Sequence, residues 1–494
     1  MTTTEVIVIG AGPAGSAAAR LLAAWGHRVL VVDRGASEAR SLAESIPPSA
    51  QKVLGALGML AAIEDAGLWP WRGNTVWWGD DAPRVEPFPP AVSGYQVVRA
   101  DFDRRLRALA ADAGATFETG LVRDAAIVDE PGSNPTSITI ERDGAAHLRE
   151  ARLLIDCSGR AGVIARRRLR RAEGRARTVA LAGVWRAASA WPFDPTHTLV
   201  SSYDDGWAWS VPVAADTRYV TVMVDPERTA LARGVAAADV YAAELAKVAP
   251  FRSLIAGAVL ADGPFGADAS PYHADRYAGP GFLVAGDAGS FIDPLSSFGV
   301  KKALASGWLA AIAAHTALTR PAMGDVAFTF FDRRERRMAA AADRQAAVFA
   351  RSAASAGRHP FWGARAIAND DGPDQEVDVA SLATAPDVLA AFQELRRRSS
   401  IQLRPAPDMR IEPRAAVRGR EIVLDDHVVT PAWPDGVRYL RNIDLVAVVR
   451  AAPHHADVGD LYGAILAAQP GIGMPDFLGA LSSLIARGAL AHIS

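Results

Sequence analysis

Residues 5–33, EVIVIGAGPAGSAAARLLAAWGHRVLVVD, leave few choices of fold. The run to Ile9 is β-branched and closed by glycine, as a strand buried on both faces requires. Gly10, Gly12 and Gly15, with Pro13 and Ala14 between them, form G-x-G-x-x-G. Such glycines permit a tight turn, close approach of the backbone to a pyrophosphate, and close helix–strand packing. An alanine-rich helix follows, and its N-terminus can receive phosphate charge. A second strand ends in Asp33, where an acid can bond a ribose, with Arg34 beside it. Strand, turn, helix, strand and acid in this order predict a dinucleotide site on a parallel α/β sheet.

The rest of the composition excludes more than it selects. The net charge of −2 and the 22% charged residues leave no basic excess for nucleic acid. Cys157 is the single cysteine, so neither an internal disulfide nor a cysteine-rich metal site is available. MTTTEVIVIGAG enters a strand at once, without the basic and apolar regions of a signal peptide. The most apolar later stretch, GWLAAIAAHTAL, is too short to span a bilayer. A cytoplasmic location is the expectation.

One fingerprint does not choose between FAD and NAD, but two later segments do. ARLLIDCSGRAGVIARR is a strand ending in Asp156, then a turn at Ser158 and Gly159. GPGFLVAGDAGSFIDPLSSFGVKKAL holds another strand ending in Gly286 and Asp287. Together the three elements resemble the flavin-dependent monooxygenase and halogenase superfamily, with its p-hydroxybenzoate hydroxylase-like fold. The resemblance implies FAD, with Asp287 on the ribityl hydroxyls. It also implies a loop through Pro294 that brings Gly299 and Val300 amides to the flavin's pyrimidine edge.

Further motifs narrow the likeness, which covers residues 5–365. SLAESIPPSAQKVLGALGM, with Glu44 and Ser45, is similar to the GESLPP loop of halogenases and their monooxygenase relatives. GWAWSVPV, with Trp207 and Trp209, is similar to the W-x-W-x-I-P signature, and VVRADFDRRL places Arg99 in the element that reaches the flavin. Halogenases of this group relay hypohalous acid through one lysine about 25 residues beyond the loop. Here that count lands near Gly73 and Asn74, and Lys52 is the only lysine before Lys247. The resemblance then implies oxygen transfer by a flavin hydroperoxide, with O2 as co-substrate and NADPH, NADH or a partner's reduced flavin as reductant. GNTVWWGDDAPR resembles the branch that matures tryptophylquinone cofactors, which implies hydroxylation of an indole or tryptophan, with a quinoprotein subunit precursor as the expected carrier of that group. A halogenase of a small aromatic and a geranylgeranyl-reductase-like enzyme share the fold and remain alternatives.

The expected layout has a Rossmann-type FAD domain (1–75, 95–178, 275–345) interrupted by a mixed β-sheet substrate domain (76–94, 179–274). A helical segment and linker (346–404) leads to a winged-helix-like module (405–494). Beyond Arg450 that module carries only Arg487 as a strong cation, too little for a phosphate-neutralising face. Polypeptide docking and structural packing both remain open for it. Trp77, Trp78 and Trp209 are expected to line the pocket, although the same rings could be core.

Lys301 and Lys302 pose one more question. They are two of only four lysines among fifty-three basic residues, and they open a helix, where its dipole opposes a cation. Neighbours on a helix diverge by about 100°. One should therefore face the pocket, where reduced-flavin charge would compensate the dipole, and Lys301 is the expected one. Two surface lysines is the plainer alternative.

Overall fold

In the computed structural model, Val6–Ile9 (β1) is fully buried, and Pro13–Ala24 (α1) returns the chain to Val29–Asp33 (β2). Leu153–Asp156 (β3) pairs in parallel with the other side of β1, and Phe282–Val284 (β4) pairs in parallel with β3. Thr116–Thr119 extends the sheet beyond β2, and Ala278–Gly279 closes the far edge antiparallel. The register sets Ile9 beside Val32 and Asp156, so the three loops predicted to hold a dinucleotide leave from one sheet edge. That edge, outside the carboxyl ends of parallel strands, is where such folds bind ligands. The structure describes residues 4–35, 41–80, 82–127, 136–171, 177–296, 298–353, 359–367, 382, 385–397 and 402–492.

Two long helices pack against α1 and the outer strand. Gly299–Thr319 (α2) packs against α1 so closely that a Cβ on Gly307 would lie 2.2 Å from the carbonyl oxygen of Ala14. Gly324–Ser352 (α3) packs along α2. Among the described residues no helix is long and apolar enough to cross a membrane.

The second sheet has seven strands, in the order 258–268, 179–187, 217–224, 206–212, 197–203, 73–77, 84–87. Only 197–203 and 73–77 run parallel, so the sheet is mixed, as expected for this part of the chain. Side chains alternate between its faces. One face carries Leu181, Leu199, Ala208, Val220 and Val222 beneath the helix Ala237–Lys247. The other carries Ala180, Trp207 and Met223 and packs with Ala350, Phe361 and Trp362.

The chain divides into compact units at 1–372 and 373–494. The second unit holds an antiparallel meander (410–418, 421–430, 433–437) and the helices Leu445–Ala451, Val458–Ala468 and Met474–Ala486. Asp444 and Asp457 cap the first two of these helices, and Gly488, at φ +68°, ends the third. The expected boundary at 405 differs from this division. Helix Pro386–Arg397 packs on Met474–Ala486, with Arg487 Nη1 2.7 Å from Asp387, so it belongs to the second unit. The stretches 368–381 and 398–401 of the expected linker lie outside the described residues.

Candidate functional site

The glycine turn is a cradle by construction. A Cβ on Gly10, which sits at φ +95°, would lie 2.5 Å from Cys157 O, and one on Gly15 would lie 1.9 Å from Gly10 O. A Cβ on Gly12 would meet nothing within 4 Å. Backbone therefore crowds the turn from behind and leaves it open in front. Asp33 steadies it, with Oδ2 accepting from Ala11 N at 2.9 Å and Oδ1 from Gly35 N at 2.9 Å. Neither α1 nor α2 has a side-chain cap, and neither has an acid in its first turn. Their uncapped amides are ready anion sites.

Both helix starts open onto one cavity of about 310 Å³. Gly12, Pro13, Ala14, Glu44, Ser45, Arg99, Gly159 and Asp287 line its cradle end. Pro294, Gly299, Val300, Trp207 and Trp209 line the end toward the second sheet. Residues separated by nearly 290 positions thus meet in one elongated space. Its open glycine, two uncapped helix starts and the Asp287 carboxylate fit a pyrophosphate, a polyol chain and a flat ring, so the residues present fit FAD. Ser158 and Arg34 stand in a neighbouring cleft with Gly159, and Ser158 is tied to Asp156 at 2.5 Å.

Arg99 anchors the floor, with Nη1 3.1 Å from Glu44 and a two-pronged contact to Asp103 at 3.0 and 2.9 Å. Burial pushes the Glu44 carboxyl up, against the pull of Arg99. Burial opposes the Arg99 charge, but Asp103 and Glu44 outweigh it and hold the guanidinium protonated. Ser45 joins this loop to the second sheet, bonding Gln96 at 2.6 Å and Thr198 at 2.8 Å. The cofactor end and the substrate end therefore share one rigid floor.

Three expectations are corrected. Trp77 lies on the opposite face of its sheet, 5.2 Å from the Phe193 ring, because strand alternation turns it from the cavity. Trp78 packs 5.4 Å from Trp362 and donates to Phe349 O, so it too is core. The lysine turned inward is Lys302, not Lys301. Lys301 donates to Ser49 at 3.0 Å near the surface, and burial lowers its pKa. Lys302 is 3% exposed and donates to Gly286 O (3.2 Å), Asp287 Oδ1 (3.3 Å) and Ser290 O. The β4 turn lies against that side of α2 and selects which lysine is buried.

Two arginines were invisible to sequence reading. Arg170 donates to Gly159, Arg160, Asp287 and Ala288 carbonyls, stitching the two ligand turns together. Arg160 lies 4.4 Å over the Phe291 ring. Nothing in an arginine-rich sequence marks either one.

Below Lys302, Glu335 of α3 is 2% exposed, and burial pushes its carboxyl up to about 7, against the pull of Lys302. Ser306, Arg334 and Asp332 are the other groups that act on it. A carboxyl raised from 4.5 to about 7 adds stability below pH 4.5 and loses it as pH rises through 7. Between pH 5 and 8 the wild type should lose about 2–3 kcal/mol that Glu335→Gln keeps. Urea unfolding of both proteins at the two pH values measures this, and parallel curves would refute it.

Cys157 lines the cavity, but burial, then Asp156 and Glu335, push its thiol well up. A thiol held protonated is a poor nucleophile. Acid denaturation should therefore release all flavin as intact FAD, and chromatography of the supernatant checks it.

A family model described as FAD binding domain matches residues 3–318. The tryptophan 2-halogenase of Chondromyces crocatus is 31% identical over 324 residues, covering 63% of this chain and 60% of that protein. The flavin-dependent halogenase armH3 of Armillaria mellea is 28% identical over 337 residues, covering 63% and 66%. The chain thus spans less than two thirds of the length of these curated relatives. The solved flavin-dependent halogenase CmlS matches with a TM-score of 0.78 at 23% identity, over 100% of this chain and 96% of that one. The peptidyl tryptophan dihydroxylase QhpG, essential for tryptophylquinone cofactor biogenesis, matches at 0.69 and 24%, over 99% and 100%. At these identities the structural likeness is one of fold.

Proposed function

The chain belongs to the FAD binding domain family, and from that premise we propose that it is an FAD-dependent monooxygenase hydroxylating an aromatic, indole-type group. The placement of lysine supports this reading. All four lysines are accounted for, and none lines the cavity. Lys52 is exposed on its helix, and Lys247 is held by Asp205 at 2.6 Å and Glu244 at 2.9 Å. Lys301 bonds Ser49, and Lys302 is spent on the β4 turn. Near the position where the halogenase lysine is expected, Asn74 instead accepts from Trp71 Nε1 at 3.2 Å. Such a site can activate oxygen but has no ammonium to hand on a halide.

FAD, when bound and reduced, supplies the electrons that activate dioxygen. The chain's own groups hold and exclude. Gly12, Ala14 and the start of α1 would take the pyrophosphate, and Asp287 the ribityl hydroxyls. The start of α2 at Gly299 and Val300 favours negative charge on the ring's pyrimidine edge. Trp207 and Trp209, with Val211, Met223 and Phe291, give the far end an apolar wall that suits a flat aromatic and keeps water out. One oxygen atom enters the aromatic ring and the other leaves as water, with a nicotinamide cofactor or reduced flavin supplying the two electrons.

Likeness to QhpG supports a tryptophan within a polypeptide as the substrate, with the second unit as the docking part. Halogenation of a small aromatic is the second reading, favoured by the halogenase relatives. The test uses labelled dioxygen, reduced flavin, free indole and a tryptophan-containing peptide. Label in the peptide product is expected, with a raised KM in a protein ending at residue 372. No labelled product from either probe would refute the proposal.

A further inference from the structure

The turn Gly286–Ser290 is held from behind by one face of α2. Lys302 and Ser306, four residues apart, share that face. Ser306 Oγ accepts from Gly286 N at 2.8 Å, while Lys302 bonds Gly286 O at 3.2 Å. Both backbone groups of Gly286 are therefore taken by the helix. An ammonium has three donors and no acceptor. Lys302 finds three acceptors: Gly286 O, Ser290 O and Asp287 Oδ1. The compact ammonium of a lysine, unlike a planar fork, can aim its donors at these three acceptors from one point. That accounts for a lysine here in a chain where nearly every other cation is arginine.

Burying an ammonium costs several kcal/mol unless it is fully paired. Asp287 pairs with it at 3.3 Å, and Glu335 of α3 feels its charge and the Ser306 hydroxyl, both of which favour the Glu335 carboxylate. Among the described residues Asp287 Oδ2 has no hydrogen bond, and Asp287 lines the cavity. One carboxylate oxygen is therefore fixed by the lysine while the other is presented to the ligand space.

We propose that Lys302 is a positioning residue for the flavin: it clamps the Gly286–Ser290 turn, aims Asp287 at the cofactor, and sets a fixed positive charge behind it. This rests on the FAD reading of the cavity. Glu335 stands beyond the lysine on α3, its carboxyl pushed up by burial against the pull of Lys302, and it does not line the cavity. The effect on the flavin is twofold. Loss of the clamp frees Asp287 and weakens binding. Loss of the charge disfavours the reduced, anionic ring and moves its potential to more negative values.

The test titrates FAD into the full-length apoprotein and then measures the midpoint potential of the bound flavin. Lys302→Met should bind FAD at least about tenfold more weakly, since hydrogen bonds to charged groups are lost. Its potential should fall below that of the wild type. Glu335→Gln keeps all three lysine contacts and should bind FAD within about twofold of the wild type. The double variant Lys302→Met/Glu335→Gln leaves no unpaired buried charge and should fold. It should still show the weak binding and the lowered potential. Recovery of both in the double variant would overturn the proposal, by showing that only the stranded Glu335 charge mattered. Unchanged affinity and potential in Lys302→Met would overturn it outright. A wild-type apoprotein that takes up no FAD would instead remove the reading beneath it.

Discussion

A Gly15→Ala variant should purify without flavin and melt well below the wild type. The added Cβ would lie 1.9 Å from Gly10 O and 3.2 Å from Cys157 Cβ. The first of these is backbone, in a turn locked between β1 and β3, so it cannot give. The start of α1 must move instead, and the amides that face the cavity move with it. Hydrogen bonds to a charged group contribute about 1.5–3 kcal/mol each. Losing two of them weakens FAD binding by at least about a hundredfold. Gly12→Ala is the informative companion. Gly12 sits at φ −75°, which alanine accepts, and its Cβ would meet nothing within 4 Å. The apoprotein should melt like the wild type, yet the methyl group would occupy the open front of the cradle and repel the cofactor. Flavin absorbance relative to protein absorbance, with melting curves, separates the two cases. A yellow, stable Gly15→Ala protein would contradict this account of the turn.

Local signals made the cofactor end legible. Glycine spacing and β-branched runs revealed β1, α1 and β2, because the turn tolerates almost nothing else. The Gly286-Asp287 strand end was legible for the same reason. Alternation says that Trp77 and Trp78 point opposite ways; it does not say which face meets a helix layer and which a cavity. Trp77 faces Phe193 and Trp78 faces Trp362, and both partners arrive from distant sequence. The lysine pair failed similarly. A 100° step separates the two side chains, but the turn that buries Lys302 comes from β4. Arg160 and Arg170 act through carbonyls and ring faces; Arg160 is a lone arginine after the Ser158-Gly159 turn, and Arg170 sits in ARRRLRR, which looks like any solvated run. Helix 386–397 joined the second unit through packing on a helix about ninety residues later, which no composition shift announces.

Transfer of oxygen without transfer of halide is the central claim. It depends on where four lysines stand, and the most direct measurement offers the enzyme both outcomes at once. The full-length protein with FAD, separately reduced flavin, dioxygen and excess bromide is given tryptophan and a tryptophan-containing peptide, and the products are read by mass spectrometry. The account predicts peptide heavier by one oxygen atom and no species with the paired isotope pattern of bromine. Enzyme-dependent bromination of either probe would contradict it and return the chain to the halogenases.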